Sequence, residues 1–415
     1  MTQFTTTTER LLVAIDVAKR VHEVLVMWPS SKTRSFRVPN TRDEFERLSS
    51  FLRGQGLPIR AALEPTADFH RLIAHWLHRH GVEMHLASSL ACARVREAMF
   101  NSWDKNDRKD ARVIMYLLSQ ELTKPFHDPL VHGHMHLQEL ANTHHHISKI
   151  RTRCYHSLLN HYLPLFFPEF ERYMHSSRAE WFCRFLLTFP TPGSVTALSR
   201  DEFVNQAWDV IGRKTSKRHL LEDIYHTAQH SIALPVPQDD LAIDTFKIQV
   251  RRYHELTKHI LHLQERAEQA LKGNPDYHRL RTIPGVGPII SLIILAESGD
   301  LRRFPHHRQY LSFCGFNLSA AQSGQSQGRY RMSKRGNARL RYAYWLAAVV
   351  AIRQRENSFQ QKYKRYIAKD PANADLKRKA YSAIAAKMAR VAHSLIKRGD
   401  DYRGYHETGI PGGGT

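Results

Sequence analysis

Four carboxylates are spaced as metal-dependent phosphodiester chemistry would need them. Asp16 closes the apolar run Leu11-Leu12-Val13-Ala14-Ile15, and Glu64 follows the run Ile59 to Leu63. Asp107 and Asp110 stand three apart in Asp107-Arg108-Lys109-Asp110-Ala111, which puts both on one helix face. Acids at the ends of neighbouring strands and on a nearby helix can converge on one point. Once converged they repel one another unless divalent cations neutralise them, and hard oxygen ligands suit Mg²⁺ or Mn²⁺. Two such ions roughly 3.5–4 Å apart clamp the attacking and leaving oxygens of a phosphodiester. Taken singly, an acid at a strand end is ordinarily just solvated. Asp104, Asp107 and Asp110 in a Lys/Arg-rich stretch could equally form surface ion pairs worth little. Four together, in this order, are harder to dismiss.

A second set lies near the C-terminus. Gln322-Ser323-Gly324-Gln325 is followed by Gly328-Arg329-Tyr330-Arg331-Met332-Ser333-Lys334-Arg335-Gly336-Asn337 and then by Arg339-Leu340-Arg341. The glycines make a loop in which a serine hydroxyl can lie exposed beside several guanidinium groups. Such a serine could attack a phosphate while the arginines stabilise the developing charge. On residue types alone, a serine that merely contacts phosphate has the better claim. Upstream, Ile283-Pro284-Gly285-Val286-Gly287-Pro288 reads as a helix-hairpin-helix-like turn whose glycines let backbone N–H groups approach a phosphate, or as an ordinary turn. The histidines at 132, 134, 136 and 144–146 have no carboxylate or cysteine at ligand spacing and read as polar helix surface.

These side chains need scaffolds. Strands are expected at Leu11–Ile15, Val21–Trp28, Thr33–Val38, Ile59–Leu63 and Val82–Ala87, with helices through Phe45–Leu52 and Phe69–Leu77, giving a mixed α/β sheet. From about Glu121 the pattern turns helical, and residues 181–240 are less readable. Phe246, Val250, Tyr253, Leu256, Ile260, Leu263, Ala267 and Leu271 then recur at steps of three or four in a long helix with coiled-coil-like spacing, its partner within the chain or in another copy. The implied organisation is an α/β domain at 1–124, a helical middle at 125–275, a mainly α domain at 276–400 and a tail at 401–415.

Charge separates these regions. The 415 residues carry 61 Lys and Arg against 39 Asp and Glu, a net of +22. Residues 1–124 contribute +5, residues 125–275 contribute +1 and residues 276–415 contribute +16. A polyanion partner follows, nucleic acid being the commonest. No stretch approaches the roughly 18–20 apolar residues of a membrane span, and Met1 to Arg10 is polar. Four widely separated cysteines suggest a reducing compartment.

Asp16, Glu64, Asp107 and Asp110, with the segment Leu86 to Leu118, resemble the DEDD, RuvC-like (RNase H-like) domain of the IS-one-ten insertion-sequence transposases, bacterial recombinases to which a pilin-gene DNA invertase is related. Family members usually carry Thr before the third acid; Asn106 stands there, which leaves Asp104 a competitor. Ser323-Gly324 and Ser333-Lys334-Arg335-Gly336-Asn337 resemble the same family's C-terminal transposase domain, with Ser319, Ser326 and Ser333 as rivals in a shifted register. The resemblance implies Ser323 as nucleophile, Asp16, Glu64, Asp107 and Asp110 as Mg²⁺ ligands, and nucleic-acid contacts from Gly285, Gly287, Arg329, Arg331, Lys334, Arg335, Arg339 and Arg341. It also implies donor and target DNA, a structured bridge RNA, a homodimer or homotetramer joined by the long helix with sites shared between protomers, and a Holliday-junction-like intermediate in the bacterial cytoplasm at the nucleoid. The alternatives are a DNA invertase, a junction nuclease using metal-activated water, and a non-catalytic nucleic-acid-binding protein.

Overall fold

The structure is a computed structural model that describes residues 9–100, 107–127, 135–174, 179–211, 217–319, 322–323, 326–327, 331–354 and 357–404. The chain divides into two compact units, residues 1–134 and 135–415.

The first unit is a mixed sheet with helices on both faces. In chain order it runs β1 (Leu11–Asp16), β2 (Val21–Met27), β3 (Thr33–Pro39), α1 (Arg42–Arg53), β4 (Ile59–Leu63), α2 (Phe69–Arg79), β5 (Glu83–Leu86), α3 (Ser89–Phe100), α4 (Asp107–Ser119) and β6 (Lys124–Pro125). The sheet order is β3-β2-β1-β4-β5-β6. β1 is antiparallel to β2 and parallel to β4, β4 is parallel to β5, and β6 closes the edge antiparallel to β5. All five expected strands and both expected helices are present. The two-residue β6, half of it proline, leaves too short a pattern to read in advance.

Strand alternation sorts the core. Leu11, Val13 and Ile15 of β1 join Phe45, Leu48 and Leu52 of α1 and Ile73 and Leu77 of α2 on one face. Leu12 and Ala14 join Cys92 of α3 and Ala111, Ile114, Met115 and Leu118 of α4 on the other. β1 carries five consecutive buried residues because both its faces are covered.

The second unit is mainly helical: α5 (Met135–Ser157), α6 (Leu163–Phe166), α7 (Ala179–Thr188), α8 (Pro192–Thr196), α9 (Arg200–Ala207), α10 (Lys217–Gln229), α11 (Leu241–Leu271), α12 (Pro275–Arg281), α13 (Pro288–Ser298) and α14 (His307–Cys314). Four two-residue strands follow, β7 (Leu318–Ser319), β8 (Gln322–Ser323), β9 (Ser326–Gln327) and β10 (Arg331–Met332), then α15 (Ala338–Ala351), α16 (Ser358–Ile367) and α17 (Ala374–Arg398). It contains two cores. Phe167, Phe170, Phe182, Phe185 and Phe203 centre one; Leu280, Leu292, Tyr310, Tyr344 and Met388 centre the other. The long helices α5 and α11 run antiparallel through both. Leu137 and Ala141 share the second core with Ala267 and Leu271, whereas Cys154 and Leu158 share the first with Phe246 and Val250.

That pairing answers the coiled-coil expectation in part. The apolar stripe of α11, including Phe246, Val250, Tyr253, Ile260 and Ala267, is buried within this chain against α5, α7 and α13. The spacing is that of helix packing, which an intramolecular partner satisfies as well as another copy does. The expected boundary at 275 falls inside the core that α11 shares with α12 and α13. Among the described residues no helix is long and apolar enough to cross a membrane.

Candidate active site

Register places the acids of the first unit. Asp16 is the last residue of β1, opposite Glu23 of β2. On the other side Ile15 is level with Leu63, the last residue of β4, so Asp16 ends β1 where Glu64 follows β4. Alternation from Leu12 and Ala14 carries Asp16 to the α3/α4 face, and a hydrogen bond with the Cys92 thiol of α3 puts Glu64 there. Both are half-buried.

Asp110 meets this edge from α4. Its carboxylate is 2% exposed and accepts a 2.5 Å hydrogen bond from Arg96 Nε of α3, in an ion pair. A buried carboxylate alone would be strongly unfavourable, and the guanidinium neutralises it. Cys92, one turn before Arg96, is also buried, and its thiol hydrogen-bonds Glu64. Burial first, then the negative charge of Glu64, pushes the thiol far above its ordinary range; Arg96 opposes this and Asp110 adds to it. Glu64, Cys92, Arg96 and Asp110 therefore form one electrostatic cluster. Asp107 opens α4, where the helix dipole favours an acid; its side chain lies outside the described residues, as do Asp104 and Asn106.

The cluster suits a hard divalent cation in its donor chemistry. Its oxygen donors are carboxylates, and the thiol that could compete as a soft ligand is held protonated. Among the described residues no group of three or more His, Cys, Asp or Glu side chains is gathered closely enough to hold an ion, the histidines of α5 included. Arg96 supplies the positive charge that Asp110 requires.

In the second unit the serine segment is built on a turn. β7 pairs antiparallel with β10, Leu318 opposite Met332 and Ser319 opposite Arg331. β8 pairs with β9, Ser323 opposite Ser326. The backbone of Ser323 thus lies at the last register pair of a hairpin; Gly324 and Arg329, with the side chains of Ser323 and Arg331, lie outside the described residues. Downstream, Ser333 N–H donates to the Asn317 carbonyl and Asn337 N–H to the Phe313 carbonyl, both at 2.7 Å. The Ser333–Asn337 element is thereby clamped to the C-terminal turn of α14. Gly336 has φ 143°, and a Cβ there would lie 2.5 Å from Gly315 N and 2.6 Å from Phe313 O. Only glycine permits this approach.

The expected nucleic-acid contacts separate into two groups. Lys334 and Arg335 are exposed on the clamped turn, and Gly287 is the N-cap of α13. Gly285 is buried, with φ +83°; a Cβ there would fall 2.2 Å from the Ala347 carbonyl of α15, so the residue is a helix-packing glycine. Arg341 donates to the Cys314 and Lys334 carbonyls at 3.2 and 3.3 Å and props the turn. Arg339 pairs with Glu297 at 2.8 Å and donates to Asn142. Asn337 joins them, donating to Glu297 Oε2 at 2.6 Å and capping α15 through Leu340 N–H.

Sequence reasoning missed Glu297, Asn142, Cys92 and the role of Arg96. For the last two there was a signal, since positions 92 and 96 share one helix face. For Glu297 and Asn142 there was none, because 155 residues of chain separate them.

Comparison with known proteins fits both regions. Residues 13–168 match the family profile of DEDD transposases of the IS110 type, and residues 277–364 match that of the transposase IS116/IS110/IS902 family. The chain is 31% identical over 143 residues to a transposase for insertion sequence element IS1111A from Coxiella burnetii, covering 34% of this chain and 38% of that protein. It is 27% identical over 187 residues to a probable family 20 transposase from Pseudomonas aeruginosa, covering 44% and 52% respectively. The matched part thus spans about half or less of the length of these relatives. Among solved structures, T. thermophilus RuvC in complex with Holliday junction substrate aligns at 11% identity and a TM-score of 0.21, covering 28% of this chain and 99% of that one. The two profile matches, both to IS110-type transposases, thus lie in order along the chain, one over the acid cluster and one over the serine segment.

Proposed function

We propose that the chain is the recombinase of an insertion sequence, cutting and rejoining DNA through a phosphoserine link. The observation that supports this is the register of β1 with β4, which ends the two strands level at Ile15 and Leu63, next to Asp16 and Glu64, with Glu64 and buried Asp110 both acting on the Cys92 thiol.

Ser323 Oγ attacks the scissile phosphorus. A Ser–O–P bond forms, the P–O3′ bond breaks, and the departing 3′ oxygen takes up the proton that the serine hydroxyl gives up. The freed 3′-hydroxyl of a partner strand then attacks the phosphoserine, which reseals DNA and regenerates the hydroxyl. One phosphodiester is broken and one made at each step, so no external energy source is needed. A bound divalent ion, Mg²⁺ or Mn²⁺, would supply charge neutralisation at the phosphate. Asp16, Glu64, Asp107 and Asp110 would hold it, with Arg96 giving up its hold on Asp110. Lys334 and Arg335 bear on the phosphate backbone.

On the same reading the partners are donor and target DNA and a structured guide RNA, recognised largely by shape and backbone, with two or four copies of the chain acting together. The family match at both segments and the strand-helix placement of the acids support this reading. The test is denaturing electrophoresis with a labelled element-end oligonucleotide and Mg²⁺. Ser323→Ala should abolish the covalent adduct; cleavage continuing at the unaltered rate would instead make water the nucleophile.

A further inference from the structure

Apart from the hairpin and the acid cluster, the second unit contains a basic cavity of about 520 Å³ between the start of α14, α16 and α17. Lys362 lines it from α16, Lys387, Arg390, Lys397 and Arg398 from α17, and His307 from α14. Among the described residues lining it none is acidic, and none of these five Lys and Arg side chains makes an ion pair among the described residues. Lys397 spends one proton on the Pro305 carbonyl.

The arrangement is not a by-product of helix packing. α17 buries Ile384, Ala385, Met388, Ala389, Ala392 and Ile396 against the core. Lys387, Arg390, Ser394 and Lys397 repeat at steps of three and four on another face, a stripe about 15 Å long at ~1.5 Å per residue. Like charges at such spacing destabilise a helix by a few tenths of a kcal/mol per pair. Burial, then Lys362, Arg365 and Arg390, hold the Lys387 ammonium below its usual range. A ligand carrying several negative charges relieves both costs.

We infer that this cavity is a phosphate-backbone clamp that holds a nucleic-acid strand by successive phosphodiesters and reads no base. The inference rests on the nucleic-acid reading above and adds a second contact region to it. α14 links the cavity to the serine segment: its first turn faces the cavity and its last turn anchors the Ser333–Asn337 turn that follows the hairpin of Ser323, about 12 Å apart for eight residues. A strand lying in the clamp is thus held at one end of the helix whose other end carries the Ser333–Asn337 turn. DNA and RNA both carry the required chemistry.

The test uses the full chain with K387Q/R390Q and the charge-conserving K387R/R390K, titrated by fluorescence anisotropy on a 30-base-pair duplex and on a structured RNA at several salt concentrations. Loss of two phosphate contacts should flatten the log K against log salt slope on duplex DNA by about 1.8, with roughly tenfold weaker binding near 0.15 M salt. A loss confined to the duplex identifies DNA as the occupant, and one confined to RNA identifies RNA. Unchanged slopes on both overturn the clamp. So does equal loss in K387R/R390K, since packing would then be the cause. Adduct formation separates this from the function itself: Ser323→Ala should form no adduct and bind with an unchanged slope.

Discussion

The acid cluster and the serine hairpin are built by different routes. In the first unit, strand register does the placing: Asp16 ends β1 and Glu64 follows the end of the parallel strand β4 in a sheet covered on both faces, and Asp110 and Arg96 come from helices packed on it. Moving any of these groups means moving a core. In the second unit a turn does the placing. Two-residue ladders carry Ser323, and the turn beneath them is held by two backbone hydrogen bonds and a glycine against the end of α14. On the proposed function the two constructions differ in what they ask of the chain, since ligands for transition-state charge need rigid placement and a serine that becomes attached to DNA and is released needs access to the strand.

The sharpest way to break this comparison is at the nucleophile. Ser323→Ala should remove the covalent adduct entirely while leaving the melting temperature within about a degree, because it removes a single hydroxyl. Asp16→Asn should cost cleavage on the order of 10²-fold or more, also with little change in stability. Asp110→Asn should lose activity to a similar extent and stability as well, about 3 kcal/mol, because it strands Arg96 beside a buried site. Thermal melts paired with cleavage assays check the contrast. If Asp110→Asn left stability untouched, the ion pair would have no structural part.

The next test concerns the turn. Gly336→Ala forces a Cβ to within 2.5 Å of the Gly315 nitrogen, so the clamp between Ser333–Asn337 and α14 must open. The expected cost is about 2–3 kcal/mol for backbone strain and lost hydrogen bonds. Limited proteolysis should show new cleavage between residues 317 and 337 with the first unit still protected. A rigid hairpin after this change would mean that the ladders, and not the turn, hold it.

Much of the first unit was legible because strand alternation and apolar runs are local signals, and Asp16 and Glu64 sit where those signals end. The antiparallel pairing of α5 with α11 was not legible, since a stripe at steps of three and four says that a helix is covered and not by what. The same limit applied to the arginines. A Lys/Arg-rich stretch looks uniform in sequence, and yet Arg339 faces Glu297 from 42 residues upstream while Arg335, four residues away, is exposed. Only the fold decides which guanidinium has an internal partner.

That division gives the smallest expected effect and the finest test. Glu297 has 9% side-chain exposure and also accepts from Asn337. Removing Arg339 therefore leaves a nearly buried carboxylate with one partner fewer, and Arg339→Ala should lower stability by about 1–2 kcal/mol. Because its guanidinium faces inward, the salt dependence of DNA binding should stay as it was. Lys334→Ala should do the reverse: unchanged melting, and a log K against log salt slope shallower by about 0.9 for one lost phosphate contact. Both variants sit within six residues of each other on one basic segment, so a sequence-level account expects them to behave alike. Crossed outcomes would show that the turn sorts its cations into struts and phosphate ligands. A shallower slope in Arg339→Ala would mean that Arg339 leaves Glu297 when nucleic acid arrives, and the clamped turn would then itself respond to DNA.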